Sequence, residues 1–347
     1  MAAGAPGHAR RQPGRLRRAR PRARVGGRVN AETELELVVA AAAQAAADVR
    51  LLELRSPDGA ELPAWSAGAH IDLLLDDGLV RQYSLCGDPA DRGRWQVAVL
   101  REPESRGGSA HVHDKLGAGD PIRARGPRNH FELEPAAAYV FVAGGIGITP
   151  ILPMLAAADA AGADWRLHYG GRTRGSMAFV DDLVARHGDR VVICPQDETG
   201  LLDLNRIVTT RPPGALLYAC GPAPLLDALE TTCAPLPTGT LRTERFTALD
   251  ADPDAVSAGF EIELADSGQV LQVPPDKSIL EVLEEADIEI LSSCREGTCG
   301  TCETGVQSGT IDHRDALLTN EERAANDIMF ICVSRAAPGC PRLVLDR

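Results

Sequence analysis

Three cysteines fall within nine positions late in the 347-residue chain, in CREGTCGTC. Four residues separate Cys294 from Cys299, two separate Cys299 from Cys302, and Cys332 follows after twenty-nine more. This is the ligand spacing of a plant-type [2Fe-2S] centre. Structural zinc also takes four thiolates, but as two separated C-x-x-C pairs, and one such pair occurs here. Disulfide pairing would leave one of nine cysteines over, and no stretch with the form of a secretory signal precedes them. A loop around an inorganic cluster must turn sharply and point backbone N–H groups at sulfur, which suits Gly297 and Gly300. Cys340 competes with Cys332 as fourth ligand. Cys332 is preferred because it ends the apolar run IMFI, a buried-strand pattern, whereas Cys340 lies in the turn-like APGCP. Ser292, Ser293 and Arg295 stand where they would tune such a centre.

Other segments suit anions. VAGGIGITPIL runs from an apolar strand into a helix, with Gly144, Gly145 and Gly147 permitting close backbone approach and Thr149 and Pro150 expected at N-cap and N1. A phosphate is welcome at such a helix start, although the spacing is not the full G-x-G-x-x-G fingerprint. Cys220, Gly221 and Pro222 end a further strand, where parallel sheets bind ligands. In RQYSL, strand alternation puts Arg81 and Tyr83 on one face, fit for a ligand with a phosphate and a flat ring, while Ser84 can offer its backbone N–H. In RGGSAHVHDKLG, a turn at Gly107 and Gly108, capped by Ser109, opens a short helix that stops at Gly117, a second anion site. His111 and His113 do not share a helical face and are read as structural or surface residues.

The elements that must position these residues divide the chain. Residues 32–135 hold short strand-like runs such as ELELVVA, HIDLLLDDG and RWQVAVL between turn signals, which predicts an antiparallel β-barrel. Over residues 136–246, apolar strands (YVFVA, WRLHYG, RVVIC, ALLYACG) alternate with helical stretches, an α/β domain with a parallel sheet. Residues 247–258 read as a linker. Residues 259–347 begin with a hairpin, FEIEL and QVLQV, and a helix capped by Ser278, and then carry the cysteine loop as a small α+β domain.

Charge is distributed unevenly. The first 31 residues carry nine arginines and no acid, whereas the whole chain has a net charge of −13. No aromatic residue interleaves with those arginines and no apolar region follows the Arg-Arg pair, so the segment is read as a disordered tail or a start codon assigned too early. The acidic body repels nucleic acid and suits docking to a basic protein face. No run reaches membrane-spanning length, and a soluble, cytoplasmic monomer is expected.

With RQYSL, GGS, GGIGITP, CGP and CREGTCGTC in this order, residues 34–347 resemble the reductase components of Rieske-type oxygenases, the phthalate dioxygenase reductase and vanillate O-demethylase reductase family. The resemblance implies a multidomain protein: a β-barrel flavin domain, an NAD domain and a β-grasp ferredoxin domain. It implies FMN, with its phosphate near Arg81, Gly107, Gly108 and Ser109, and with Tyr83 and Ser84 along the ring. It places NADH on Gly144, Gly145, Gly147, Thr149 and Pro150, with Cys220 and Gly221 near the nicotinamide. Glu244 and Phe246, in LRTERF, would approach the flavin; Arg242 stands there where the family often has histidine. Tyr83, Ser84, Cys220 and Phe246 would then stand nearest the chemistry, and Cys294, Cys299, Cys302 and Cys332 would hold the cluster.

Such a chain needs a flavin because NADH gives two electrons as hydride, whereas an iron-sulfur cluster takes one at a time. The expected activity is electron transfer from NADH through FMN and [2Fe-2S] to a separate terminal oxygenase. Alternatives are a reductase serving a P450 or another acceptor, and a non-catalytic redox sensor. The choice between NADH and NADPH stays open: Arg172 and Arg174 suit a 2′-phosphate, and Asp197 and Glu198 a plain ribose.

Overall fold

A computed structural model describes residues 1, 33–103, 107–249 and 258–347, so the arginine-rich segment beyond Met1 and most of the expected linker lie outside the described residues. Six strands form the first module: β1 (Glu34–Ala46), β2 (Val49–Arg55), β3 (His70–Leu74), β4 (Val80–Ser84), β5 (Trp95–Leu100) and β6 (Pro121–Arg128). They pair antiparallel in the order β4-β3-β6-β1-β2-β5. Leu85, just past β4, bridges to Val97 of β5, so the outer strands meet and the sheet closes into a barrel. Its interior holds Leu37, Leu52, Ile71, Leu73 and the fully enclosed Trp95. Helix α1 (Gly108–Lys115) adds Val112 to that core. Strand β6 is poor in apolar residues, yet Ile122 and Ala124 face inward while Arg123 and Arg125 pair with Glu34 on the neighbouring strand.

The second module is a parallel sheet: β7 (Ala138–Gly144), α2 (Ile148–Ala160), β8 (Asp164–Gly171), α3 (Val180–His187), β9 (Val191–Pro195), α4 (Gln196–Thr199), α5 (Leu204–Thr209), β10 (Leu216–Cys220), α6 (Ala223–Cys233) and β11 (Leu241–Glu244). Helices cover both faces, so the strands read as continuous apolar runs, with Phe141 and Tyr218 on one side and Val142 and Leu217 on the other. The order β11-β10-β7-β8-β9 reverses direction between β7 and β10, which opens a crevice at their carboxyl ends.

Two expected helix caps differ from what forms. A 3₁₀ turn, Gly145–Gly147, starts the winding early, so α2 begins at Ile148 with Gly147 as its N-cap, and Thr149 and Pro150 are its second and third residues. The Thr149 hydroxyl donates to the Ile146 carbonyl at 3.0 Å, a back-bond open to threonine inside a first turn. Pro150 is tolerated because an N–H there would have no helical partner. Likewise Gly107, at φ 88°, is the residue before α1, and the Ser109 hydroxyl accepts from the Glu102 N–H at 3.1 Å and does not cap the helix.

The third module contains β12 (Phe260–Leu264), β13 (Val270–Val273), α7 (Ile279–Glu285), β14 (Glu303–Ser308), β15 (Ile311–Asp312), α8 (Asn320–Ala325), β16 (Ile328–Phe330), β17 (Arg335–Ala336) and β18 (Arg342–Leu345). Its main sheet, β13-β12-β18-β14-β16, is parallel between β12 and β18 and antiparallel elsewhere, and it grasps α7 over one face. As expected, Ser278 caps α7, and Glu281 completes the capping box by accepting from the Ser278 N–H at 2.7 Å. The first two modules join through Cys86 and Ala98 of the barrel, which pack against Ala178, Phe179 and Ile146.

Gly147 holds the crevice tight, because a Cβ there would lie 2.3 Å from the Cys220 carbonyl oxygen. Gly147→Ala must push two backbone turns apart and should cost about 1–3 kcal/mol. Gly175→Ala, where a Cβ meets nothing within 4 Å, is the control. Denaturation midpoints of the two variants check this, and equal midpoints would contradict it.

Candidate redox and cofactor-binding sites

The cysteine loop connects α7 to β14, and Cys332 comes to it from the turn that follows β16. The four thiols interact with one another: Cys294 with the side chains of Cys299 and Cys332, and Cys332 with that of Cys302. Backbone N–H groups point inward as well, from Glu296 (3.3 Å) and Thr298 (3.5 Å) to Cys294 Sγ and from Cys294 (3.5 Å) to Cys299 Sγ. Cys299 Sγ also meets the Thr301 hydroxyl at 3.2 Å. Four thiols with inward N–H donors fit an iron-sulfur cluster, whose sulfurs carry the charge that such donors stabilise. Cys340 stands apart, accepting from the Thr310 N–H and donating to the Arg342 carbonyl. Of the three residues expected to tune the centre, Ser293 receives a hydrogen bond from Gln82 of the barrel, and Arg295 turns to Glu284.

On β4, Tyr83 packs against the barrel interior, and burial lifts its phenol to about 12. The Arg81 stem crosses the turn before α1 so closely that a Cβ on Gly108 would lie 2.4 Å from its Cγ. A guanidinium, a phenol ring and the N-terminal end of an eight-residue helix are thereby brought together, a donor set that fits a flavin phosphate and its ring.

Ser84 points to the other side of β4 and finds a partner that sequence reasoning named without pairing. Its hydroxyl is hydrogen-bonded to Glu244 at the end of β11, and the Cys220 thiol lies 3.9 Å from Glu244 Oε2. Loss of solvent in this seam pushes Glu244 up to about 8, against the pull of those two hydrogen bonds. Burial, and then the Glu244 carboxylate, push the Cys220 thiol well up, so it stays protonated. Phe246, two residues on, is 42% exposed. Arg242 pairs with Glu134 at 2.9 Å, and Arg245 is held between Asp227 and Glu230.

In the crevice, Gly144 and Gly147 are demanded by their own neighbours, Pro222 and the Cys220 backbone, while Gly145 borders open space and is the surface a nucleotide can approach. At the ends of β8 and β9, Arg174 Nε lies 3.8 Å from Glu198 Oε1, and the Asp197 N–H donates to the Arg172 carbonyl.

Comparison with known proteins bears on all three modules. Residues 262–337 match the 2Fe-2S iron-sulfur cluster binding domain, a span that includes the four clustered cysteines and leaves out Cys340. Over 302 residues, 86% of this chain and 94% of the relative, the sequence is 45% identical to phenoxybenzoate dioxygenase subunit beta of Ectopseudomonas oleovorans. The structure superimposes on phthalate dioxygenase reductase, described as a modular structure for electron transfer from pyridine nucleotides to [2Fe-2S], with a TM-score of 0.66 and 37% identity over 90% of this chain and 98% of that one.

This chain belongs to the phthalate dioxygenase reductase family. It is an oxidoreductase with flavin, pyridine-nucleotide and [2Fe-2S] modules, like its relatives. It also superimposes on an intact type IV self-sufficient cytochrome P450 monooxygenase, with a TM-score of 0.85 and 45% identity over 90% of this chain. This chain spans 41% of that longer one.

Two features of this reductase escaped sequence reasoning. One is the Ser84–Glu244 contact, which joins residues 160 positions apart. The other is the set His70, Gln82 and His130, which faces the cysteine loop; the only local signal was a polar residue at alternate positions of the β3 and β4 runs.

Glu244 gives a pH prediction. The unfolded chain ionises it near 4.5 and the folded chain near 8, so between these values the unfolded state holds fewer protons and stability falls as pH rises. Glu244→Gln should flatten that decline. Thermal melts of both proteins at the two ends of the window check it: a parent and variant with parallel profiles would contradict the assignment.

Proposed function

We propose that this reductase passes electrons from NADH through FMN to a [2Fe-2S] cluster held by Cys294, Cys299, Cys302 and Cys332, and then to a separate Rieske-type oxygenase. The observation that carries this reading is the mutual contact of four cysteine thiols, with backbone N–H groups donating to Cys294 and Cys299, on the same chain as a barrel turn suited to a phosphate and a parallel-sheet crevice. When bound, FMN supplies the conversion between a hydride and single electrons.

The chain's own residues bind, orient and exclude water. Arg81 with Gly107, Gly108 and Ser109 would hold the flavin phosphate, with Tyr83 along the ring and Ser84 offering its backbone N–H. Gly145 with Gly144, Gly147, Thr149 and Pro150 would seat the dinucleotide at the helix start, and Cys220 and Gly221 would face the nicotinamide. The Glu244 carboxyl, protonated below about pH 8 and hydrogen-bonded with Ser84 and Cys220, puts no negative charge beside the path of the hydride. Phe246, exposed at the end of the same segment, would cover that site. Glu198 lies 3.8 Å from Arg174, and a carboxylate there would repel a 2′-phosphate, which supports NADH over NADPH. The acidic chain suits transient docking to a basic face of the oxygenase, as a cytoplasmic monomer.

The higher structural similarity to the self-sufficient P450 chain favours a second reading, in which the acceptor is a haem monooxygenase. Purified protein mixed with each type of acceptor separates the two. Turnover of NADH with an artificial acceptor excludes a sensor that only reports its cluster state.

An anaerobic visible spectrum during stepwise NADH addition tests the main reading. Flavin and cluster bands should both bleach, and the released flavin should be FMN; bleaching of the flavin alone, or the absence of cluster bands, would refute it. Cys332→Ser should abolish the cluster bands and iron content, whereas Cys340→Ser should keep both. Arg81→Ala should lose FMN on gel filtration while retaining iron, and equal loss of both would point to unfolding.

A further inference from the structure

Alternation along β3 and β4 sends Ile71, Leu73, Arg81 and Tyr83 to the barrel interior side and His70, Asp72, Gln82 and Ser84 to the outside. Polar residues on an outer face are ordinarily wet, yet His70 is 5% and Asp72 0% exposed. The third module covers them. His130, just beyond β6, sits over Gly300 of the cysteine loop: a Cβ there would lie 2.0 Å from His130 Nε2, so the ring occupies a notch that a glycine leaves open. The same ring stands edge-on to Phe330, centroids 6.4 Å apart, and stacks on His70 at 6.1 Å. His70 makes a hydrogen bond with the backbone of Cys299. Gln82 donates to Ser293 Oγ at 2.6 Å and to Asp72 Oδ1 at 2.8 Å, and Asp72 is itself paired with Arg128.

We propose that His70, Gln82 and His130 form a clamp that seats the cysteine loop on the outer face of β4, across the thickness of that strand from Arg81 and Tyr83, and so sets the gap that an electron crosses from flavin to cluster. The step makes and breaks no bond: the reduced flavin loses one electron and the oxidised cluster gains it. The inference rests on the FMN and [2Fe-2S] reading of the preceding section. The three are positioning residues, and each contact falls beside a cluster cysteine: Ser293 precedes Cys294, Gly300 follows Cys299, and Phe330 lies two residues before Cys332. Neither the barrel core nor the third module's core contains any of them, so each module folds around its own apolar cluster and the clamp is an addition between them. A tether alone would hold the module near the barrel at an effective concentration on the order of millimolar, without a fixed pose. Electron tunnelling weakens exponentially with the gap, so a fixed pose is what transfer requires.

The test is the Gln82→Ala/His130→Ala double variant of the full chain, loaded with flavin and cluster. On rapid mixing with NADH, the flavin band should bleach at the parental rate while cluster bleaching slows by roughly 10–100-fold. Iron and flavin contents should be unchanged, and the radius of gyration from solution scattering should rise as the third module leaves the barrel. Ser293→Ala approaches the same contact from the cluster side and should slow the same phase. Parental cluster bleaching with an unchanged radius would overturn the clamp, and so would loss of iron from the double variant, because the histidine would then be holding the cluster itself. If the unaltered protein shows no NADH-driven cluster bleaching, the functional reading fails instead, and the scattering comparison still decides the clamp.

Discussion

All three modules meet on one five-residue strand, β4, and the two-residue period of its side chains assigns a different duty to each side. Arg81 and Tyr83 turn inward, where the helix start and the barrel core form a place for a phosphate and a ring. Gln82 and Ser84 turn outward, and there Ser84 touches Glu244 of the parallel-sheet module and Gln82 touches Ser293 of the cysteine module. A strand is only one residue thick, so placing sites on its two sides is the shortest way to bring three redox groups together without a shared cavity. A slip of one residue in the pairing of β3 with β4 would exchange the two sides and disconnect all three modules.

Electrostatics follow from the same crowding. The outer side of β3 and β4 is polar in sequence and dry in the folded protein, so each group there needs a partner or must be neutral. Asp72 is paired with Arg128, Glu244 is held protonated beside Ser84 and Cys220, and burial holds the His70 imidazole in its neutral form. The seam between the modules is therefore nearly free of unpaired charge, while the chain as a whole is strongly acidic. That separation keeps the internal path dry and leaves the exterior to attract a partner.

Recognition of the cofactor sites was uneven for a physical reason. A cluster loop must place its ligands within one short turn, so its spacing is local and CREGTCGTC carries it almost whole. The crevice glycines were equally visible, but their purpose was not. Gly147 is small because the Cys220 carbonyl passes beside it, and this contact joins strands that are far apart in the chain. The early 3₁₀ turn that displaced Thr149 from its cap ends at this same Gly147.

Local periodicity and capping chemistry alone determined the strands β1–β5, β7–β10, β12, β13 and β16, the capped helix α7 and the four-cysteine pattern, because each depends on residues a few positions apart. Tertiary structure decided the rest. Strands β6, β11 and β18 carry weak patterns of their own, and they become strands because neighbours offer hydrogen-bonding edges, β18 in the very middle of its sheet. The pairing of Ser84 with Glu244 and of His130 with Gly300 likewise depends on how finished modules dock. Alternation tells which face of a strand is polar; only the packing of another module over that face decides whether it meets water or a redox centre.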